Sequence, residues 1–424
     1  MANEVVTIGS TTNVTGNVSS ATIKGQGLSM GSLKTATSNA TTGFNNEGTI
    51  SVTGGTATSG IAGMNVSYGT INNGTSAGSS ASVTIDNGAG LYGTNGSKLV
   101  NNGKITVASG AGIAGIGTGR IKQEYGTDVK TSASLGGTKT VEIENHGTIN
   151  AAGTGSIGIY AENNTNAPKA NVTVSSDKQL TVGTDGVGIA VVSATPMLVN
   201  HGTSDEGGTI TVTAAGTGPD IKTGVNGKGI YAQNSDITLT GNYIIETPEK
   251  GIGIFASKNT NVTGTLEYKY NGSTTGGMIG VYTTSGTGNT LTNNGDITGS
   301  STALEFGIVS DGADIINKGN ITLGNAALQE NANVGIYAKT KNTITNDGKI
   351  TVGDNAIGIY GYNINNNTGS IKAGDNGVAI YTQGDGTVNL NANSKIAVGK
   401  DQAVGVYAVG ANQHINANAG SSMT

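Results

Sequence analysis

Apolar and polar residues alternate along this chain in short runs, as in Ile350-Thr351-Val352, where Ile and Val share one face and Thr takes the other. No window shows the 3.6-residue spacing of an amphipathic helix. The runs recur as two signatures. One reads Asn-x-Gly-x-Ile and begins at Asn46, Asn101, Asn145, Asn293, Asn317, Asn346 and Asn367. The other reads apolar-Gly-Ile-Tyr-Ala, as in Ile157-Gly158-Ile159-Tyr160-Ala161, with variants at 229–232, 252–256, 279–282, 334–338, 357–360 and 404–408. From Asn293 to Asn367 the first signature returns after 24, 29 and 21 residues, with a copy of the second in each of the last two intervals. A period in the twenties built from short strands and Gly/Asn corners predicts one coil of a solenoid. The pattern therefore predicts an all-β chain: a right-handed parallel β-helix (β-solenoid), an elongated rod of roughly 16 coils.

Strict alternation assigns faces. In Ile157-Gly158-Ile159-Tyr160-Ala161 it places Ile157, Ile159 and Ala161 inside, with Gly158 and Tyr160 outside. Ile336 and Ile359 are expected to be buried and stacked one coil apart. The repeated corner Asn predicts an amide ladder, each Asn stacked on its copy in the next coil beside a Gly. Tyr160, Tyr231, Phe255, Tyr282, Tyr337, Tyr360, Tyr381 and Tyr407 then form an outward aromatic column.

Composition narrows the function classes. Glycine supplies 72 of 424 residues, charged residues are 12%, and neither cysteine nor tryptophan occurs. The net charge is −5 and Arg120 is the sole arginine, so no basic stripe for nucleic acid exists. No apolar stretch is long enough for a spanning helix, so this segment is not expected to insert in a membrane. The opening residues 1–10, MANEVVTIGS, lack the basic and apolar regions of an export signal.

An enzyme is not expected. Arg120-Ile121-Lys122 matches a short element of the polygalacturonases, which share the β-helix, but their aspartate-bearing Asn-Thr-Asp and Asp-Asp strings and their Gly-His-Gly are missing. The matches to Gly-x-Gly-x-x-Gly at 110–115 and 153–158 are not followed by a helix, which dinucleotide binding requires. His146, His201 and His414 have no metal-ligand spacing, and the turns at Asp185, Asp354, Asp375 and Asp401 read as Asx-turns rather than calcium loops. No cofactor and no metal site are expected. Three segments break the rhythm and read as irregular insertions within one solenoid segment spanning 1–424: residues 119–141, 201–228 and 263–277. Surface insertions often carry binding. The candidate binding residues are accordingly Arg120, Lys122 and Tyr125 in the first, and Tyr268, Lys269 and Tyr270 in the third, with Tyr268 and Tyr270 on one side flanked by Glu267 and Lys269.

The alternating Asn-x-Gly-x-Ile and Gly-Ile-Tyr-Ala units resemble the passenger domains of very large type V autotransporter adhesins, most closely those of fusobacterial outer membranes. The resemblance covers roughly residues 43–424 and is most regular from 280 to 410. It implies a monomeric fragment of a longer passenger, exposed on the bacterial cell surface. Such a segment would bind a host-cell surface protein receptor or glycan and other bacteria. The alternative is a non-binding stalk that displays a distal adhesive domain. The absence of cysteine fits a chain that crosses an oxidising periplasm unfolded, and by itself equally fits a cysteine-free cytosolic protein.

Overall fold

The computed structural model describes residues 5–8, 13–18, 26–31 and 43–424, apart from 55–60, 68, 95–96, 118–140, 164–169, 175–177, 194–207, 215–217, 258–259, 271–276, 285–289 and 300–303. The described residues are nearly all β, with one short 3-10 turn at Gln329–Asn331 and no α-helix. They form a parallel β-solenoid divided into two compact units. Unit 1 is Met1–Gly224 with Gln233–Asp236; unit 2 is Val225–Ala232 with Ile237–Thr424.

Each coil has three strands. In unit 2 one coil runs through Thr343–Asn346, Lys349–Thr351 and Ile357–Gly361, here the first, second and third faces. Every strand pairs in parallel with its copy in the next coil: Ile344 with Ile364, Ile350 with Ile371, and Ile359 with Ile380. The inward residues therefore stack in columns. Ile308, Ile336, Ile359 and Ile380 form one on the third face, and all are fully buried. Unit 1 has equivalent columns, such as Met64, Leu91, Ile113, Ile159 and Ile189. Each such side chain contributes about 1.5–3 kcal/mol through the area it removes from water.

The corner between first and second faces explains the Asn-x-Gly signature. The Asn points inward, and its Nδ2 donates to the carbonyl of the glycine two residues on, as in Asn293 to Gly295 at 2.9 Å and Asn317 to Gly319 at 3.1 Å. A Cβ on Gly319 would run into the carbonyl oxygen of Gly295 in the preceding coil, so the corner admits only glycine there. In six coils the turn between second and third faces uses one left-handed residue that is not glycine. Asp185, Asn226, Lys250, Asn355, Asn376 and Gln402 occupy that conformation, with φ between 47° and 57°. Asn and Asp tolerate this region best, which accounts for the Asp-Asn pairs before the third strand.

Strict alternation fails on the third face. Ile252-Gly253-Ile254-Phe255-Ala256 shows Gly253 and Ile254 both buried and Ile252 half-buried, and Ile157, Ile279, Ile357 and Val378 repeat that position. The glycine faces the core, against the expected outward placement. A Cβ on Gly158 would lie 2.5 Å from both the carbonyl oxygen of Gly188 and Cδ2 of Leu180. The backbone is drawn so close to the second-face side chain that the pleat shifts phase at the glycine, and the leading Ile is turned outward.

Two of the expected insertions are partly regular coil. Within 201–228, the strands Gly208–Thr213 and Ile221–Lys222 pair in register with Ala170–Val174 and Leu180–Val182. Ile210 and Val212 are fully buried. Within 263–277, residues up to 270 belong to the strand Thr260–Tyr270, which pairs with strands on both sides. The first insertion lies almost wholly outside the described residues.

Candidate functional site

Arg120, Lys122 and Tyr125 lie outside the described residues. In the third segment the structure corrects the expected arrangement. Tyr268 does not face out: it is fully buried, and its hydroxyl donates to the carbonyl of Phe306 at 3.1 Å. The alternation Leu266-Glu267-Tyr268-Lys269 leaves the charged residues the outer side, which sends Leu266 and Tyr268 inward. Room for the phenol comes from two glycines; a Cβ on Gly280 would be 2.8 Å from its ring and one on Gly299 2.8 Å from its hydroxyl. Burial, and then the Glu305 carboxylate, push the Tyr268 phenol well above its usual range. Lys269 faces outward and pairs with Glu267 at 3.0 Å, and Glu267 also accepts from Asn242. Tyr270 ends the strand opposite Thr247, and its side chain lies outside the described residues.

The aromatic column is present, and it differs between the units. In unit 2 Tyr231 stacks on Phe255 at 5.1 Å and Phe255 on Tyr282 at 5.3 Å between ring centroids. A second run joins Tyr337 to Tyr360 at 4.9 Å, Tyr360 to Tyr381 at 4.7 Å and Tyr381 to Tyr407 at 5.3 Å. Between the runs, the register places buried Val309 where a ring would sit. In unit 1 the same column reads Asn65, Tyr92, Ala114, Tyr160, Ala190, so Tyr160 has alanines in register on both sides. The rings are half-buried except Tyr407, which is exposed. The planes of Tyr360 and Tyr381 differ by 9°, so their faces are turned to each other, and ring edges and hydroxyls reach outward.

The column carries a polar flank that alternation alone does not reveal. Tyr360 donates to Oε1 of Gln383 at 2.7 Å, and Nε2 of Gln383 donates to the hydroxyl of Tyr362 at 3.0 Å. Burial, followed by the neighbouring phenols Tyr337, Tyr381 and Tyr362, raises the Tyr360 phenol above its ordinary value. At the break, Phe306 packs against Tyr337 at 5.7 Å. Lys339 sits 5.6 Å from the centroid of Tyr282 and pairs with Asp311 at 3.2 Å. The hydrogen bond to Asp311 holds the Lys339 ammonium above its usual range; burial opposes it, and Tyr282 and the Asp311 charge add to it. The sequence signal for these residues was their coil register: Gln383 lies two residues beyond Tyr381, the offset that also separates Lys339 from Tyr337.

The inner amides form two ladders. In unit 1 Nδ2 of Asn46 donates to Asn73, Asn73 to Asn101 and Asn101 to Asn145, at 2.7–2.8 Å. In unit 2 Asn293, Asn317, Asn346 and Asn366 are joined likewise, each at 2.8 Å. Asn73 and Asn366 were not expected as rungs. Asn73 is followed by a longer turn to Ala81, and at Asn366 the corner has one extra residue, so Asn367 is not the rung. The Asp turns are tied between coils: Oδ1 of Asp354 accepts the Asp375 amide at 2.9 Å, and Oδ1 of Asp375 the Lys400 amide at 2.7 Å. Among the described residues no group of three or more His, Asp and Glu is placed to hold a metal ion.

No known protein family, curated protein or solved structure matches this chain.

Proposed function

We propose that this chain is an adhesive, non-catalytic segment of a large autotransporter passenger displayed on a bacterial surface. In this reading it holds a host-cell receptor or glycan, or another bacterium. The observation that supports it is the outward aromatic column of unit 2 with its flank of Gln383, Tyr362, Lys339 and Asp311. Tyrosine edges and hydroxyls beside amide and charged groups are the chemistry enriched at protein interfaces. The inner polar groups, by contrast, are largely taken up by the ladders and corners, which a spacer needs as much as a binder.

The test is to display the whole chain on beads and measure capture of host cells, bacteria and arrayed glycans. Tyr360→Ser with Tyr381→Ser, both in the outward column, is expected to reduce capture at least about tenfold, the scale set by losing one or two interface anchors. Retained capture would move the contact to the segment holding Arg120, Lys122 and Tyr125. Absence of capture by the unaltered chain would favour the stalk.

A further inference from the structure

We propose that the tyrosine run of unit 2 is a site of oxidative cross-linking, in which adjacent coils are joined by carbon–carbon bonds between neighbouring phenols. Three observations carry this. First, the chain contains neither cysteine nor tryptophan, so its tyrosines are the side chains that give up one electron most readily. Second, Tyr337, Tyr360, Tyr381 and Tyr407 stand in consecutive coils with centroids 4.7–5.3 Å apart, so a radical formed on one ring already has a second phenol in contact. Third, the rings lie on the outer side of the strand, half-exposed, and Tyr407 is 48% exposed, so a small oxidant reaches them.

The oxidant is a peroxide acting through a haem peroxidase. Each of two phenols loses one electron and one proton, giving two phenoxyl radicals. These couple at the ring carbons ortho to the hydroxyls, and both rings regain aromaticity by moving the displaced hydrogen to oxygen. One peroxide takes the two electrons and two protons and leaves as two waters. The product is a pair of coils stapled through their side chains, on strands already held by parallel pairing.

The molecule contains its own controls. Tyr231 and Tyr282 are separated by Phe255, and Tyr92 and Tyr160 by Ala114. In the described column the register partners of these tyrosines are Asn65, Ala114, Ala190, Phe255 and Val309, so neither pair couples within it.

The experiment treats the whole chain with hydrogen peroxide and a haem peroxidase, then digests it with trypsin. Lys339, Lys349, Lys372 and Lys395 place Tyr337, Tyr360, Tyr381 and Tyr407 in four different peptides. The expected result is dityrosine fluorescence in monomeric chain and linked peptide pairs, each lighter by two hydrogens, for 337–360, 360–381 and 381–407. Tyr381→Phe, which keeps the ring, should remove the last two links and leave the first, and Tyr362→Phe should leave all three. Oxygen uptake by exposed Met423 adds mass and is not confused with a link. The proposal is overturned if links scatter over Tyr92 and Tyr160, form only between chains, match those of the urea-unfolded chain, or appear between Tyr360 and Tyr407 in Tyr381→Phe.

Discussion

Units 1 and 2 are built on the same three-face coil, yet their outer columns differ. Inside, the two match closely: stacked Ile, Val and Leu columns, and a four-rung Asn ladder in each. Outside, at the same third-face position, unit 1 alternates Tyr92 and Tyr160 with alanines, whereas unit 2 sets aromatic rings in consecutive coils. The inner columns are demanded by the fold, since every coil must bury apolar area and satisfy its corner. The outer column is under no such demand. The outer columns can therefore differ between the units without disturbing the stacked aliphatic core.

The widest contrast to test is therefore inner against outer. Ile359→Asp in unit 2 and Ile159→Asp in unit 1 should each cost about 4–5 kcal/mol or unfold their unit, because each leaves an unpaired charge in a fully buried column. Thr351→Asp, on the outer side, should stay within about 0.5 kcal/mol. Urea denaturation measures all three. Similar damage from Thr351→Asp would show that the outer side is as constrained as the inner.

Much of this was legible in the sequence, and the exceptions have definite causes. The coil, the parallel stacking, the Ile336–Ile359 contact and six of the eight ladder positions follow from signatures that repeat with their spacing. Third-face parity was misread because alternation assumes an unbroken pleat, and Gly158 and its copies break it through backbone contact with the next coil. Tyr268 was misread because an aromatic between charged residues looks like a surface patch. The glycines that make room for it, Gly280 and Gly299, lie 12 and 31 residues away in sequence. Val309, the break in the aromatic column, becomes visible only when the register is known.

The ladders give the next comparison. Asn317→Ala and Asn101→Ala should each cost about 2–3 kcal/mol, because each removes a rung and leaves buried amide groups of its neighbours without it. Asn389→Ala touches an outer amide row, in which Asn389 donates to Asn365 and Asn416 donates to Asn389, both at 2.8 Å. Water replaces those bonds, so the cost should be a few tenths of a kcal/mol. A large loss at Asn389 would mean that outer rows also hold the coil.

The aromatic columns themselves come third. Tyr360→Ala loses two ring contacts and Tyr160→Ala loses none within its column. At about 0.5–1.5 kcal/mol per ring pair, Tyr360→Ala should be the more damaging by about 1–3 kcal/mol. A double-mutant cycle on Tyr360 and Tyr381 isolates the coupling. Equal losses at Tyr160 and Tyr360 would remove stacking as the distinction between the units.

The smallest effect concerns charge on the outer side, where each unit carries an ion pair: Lys98 with Glu144 at 2.7 Å in unit 1, Lys269 with Glu267 at 3.0 Å in unit 2. For Glu267, burial pushes the carboxyl up, but the hydrogen bonds from Lys269 and Asn242 together with the Lys269 charge outweigh it and leave the carboxyl below its ordinary value. A carboxyl lowered on folding adds stability that is present above its unfolded value and lost as pH falls through the folded one. Glu267→Gln should therefore lower stability by a few tenths of a kcal/mol at neutral pH, and the difference should vanish in acid, below the usual carboxylate range. Lys98→Met should cost a similar amount in unit 1, and added salt should shrink both. A loss at Glu267 that survives in acid would assign its contribution to the Asn242 contact rather than to charge.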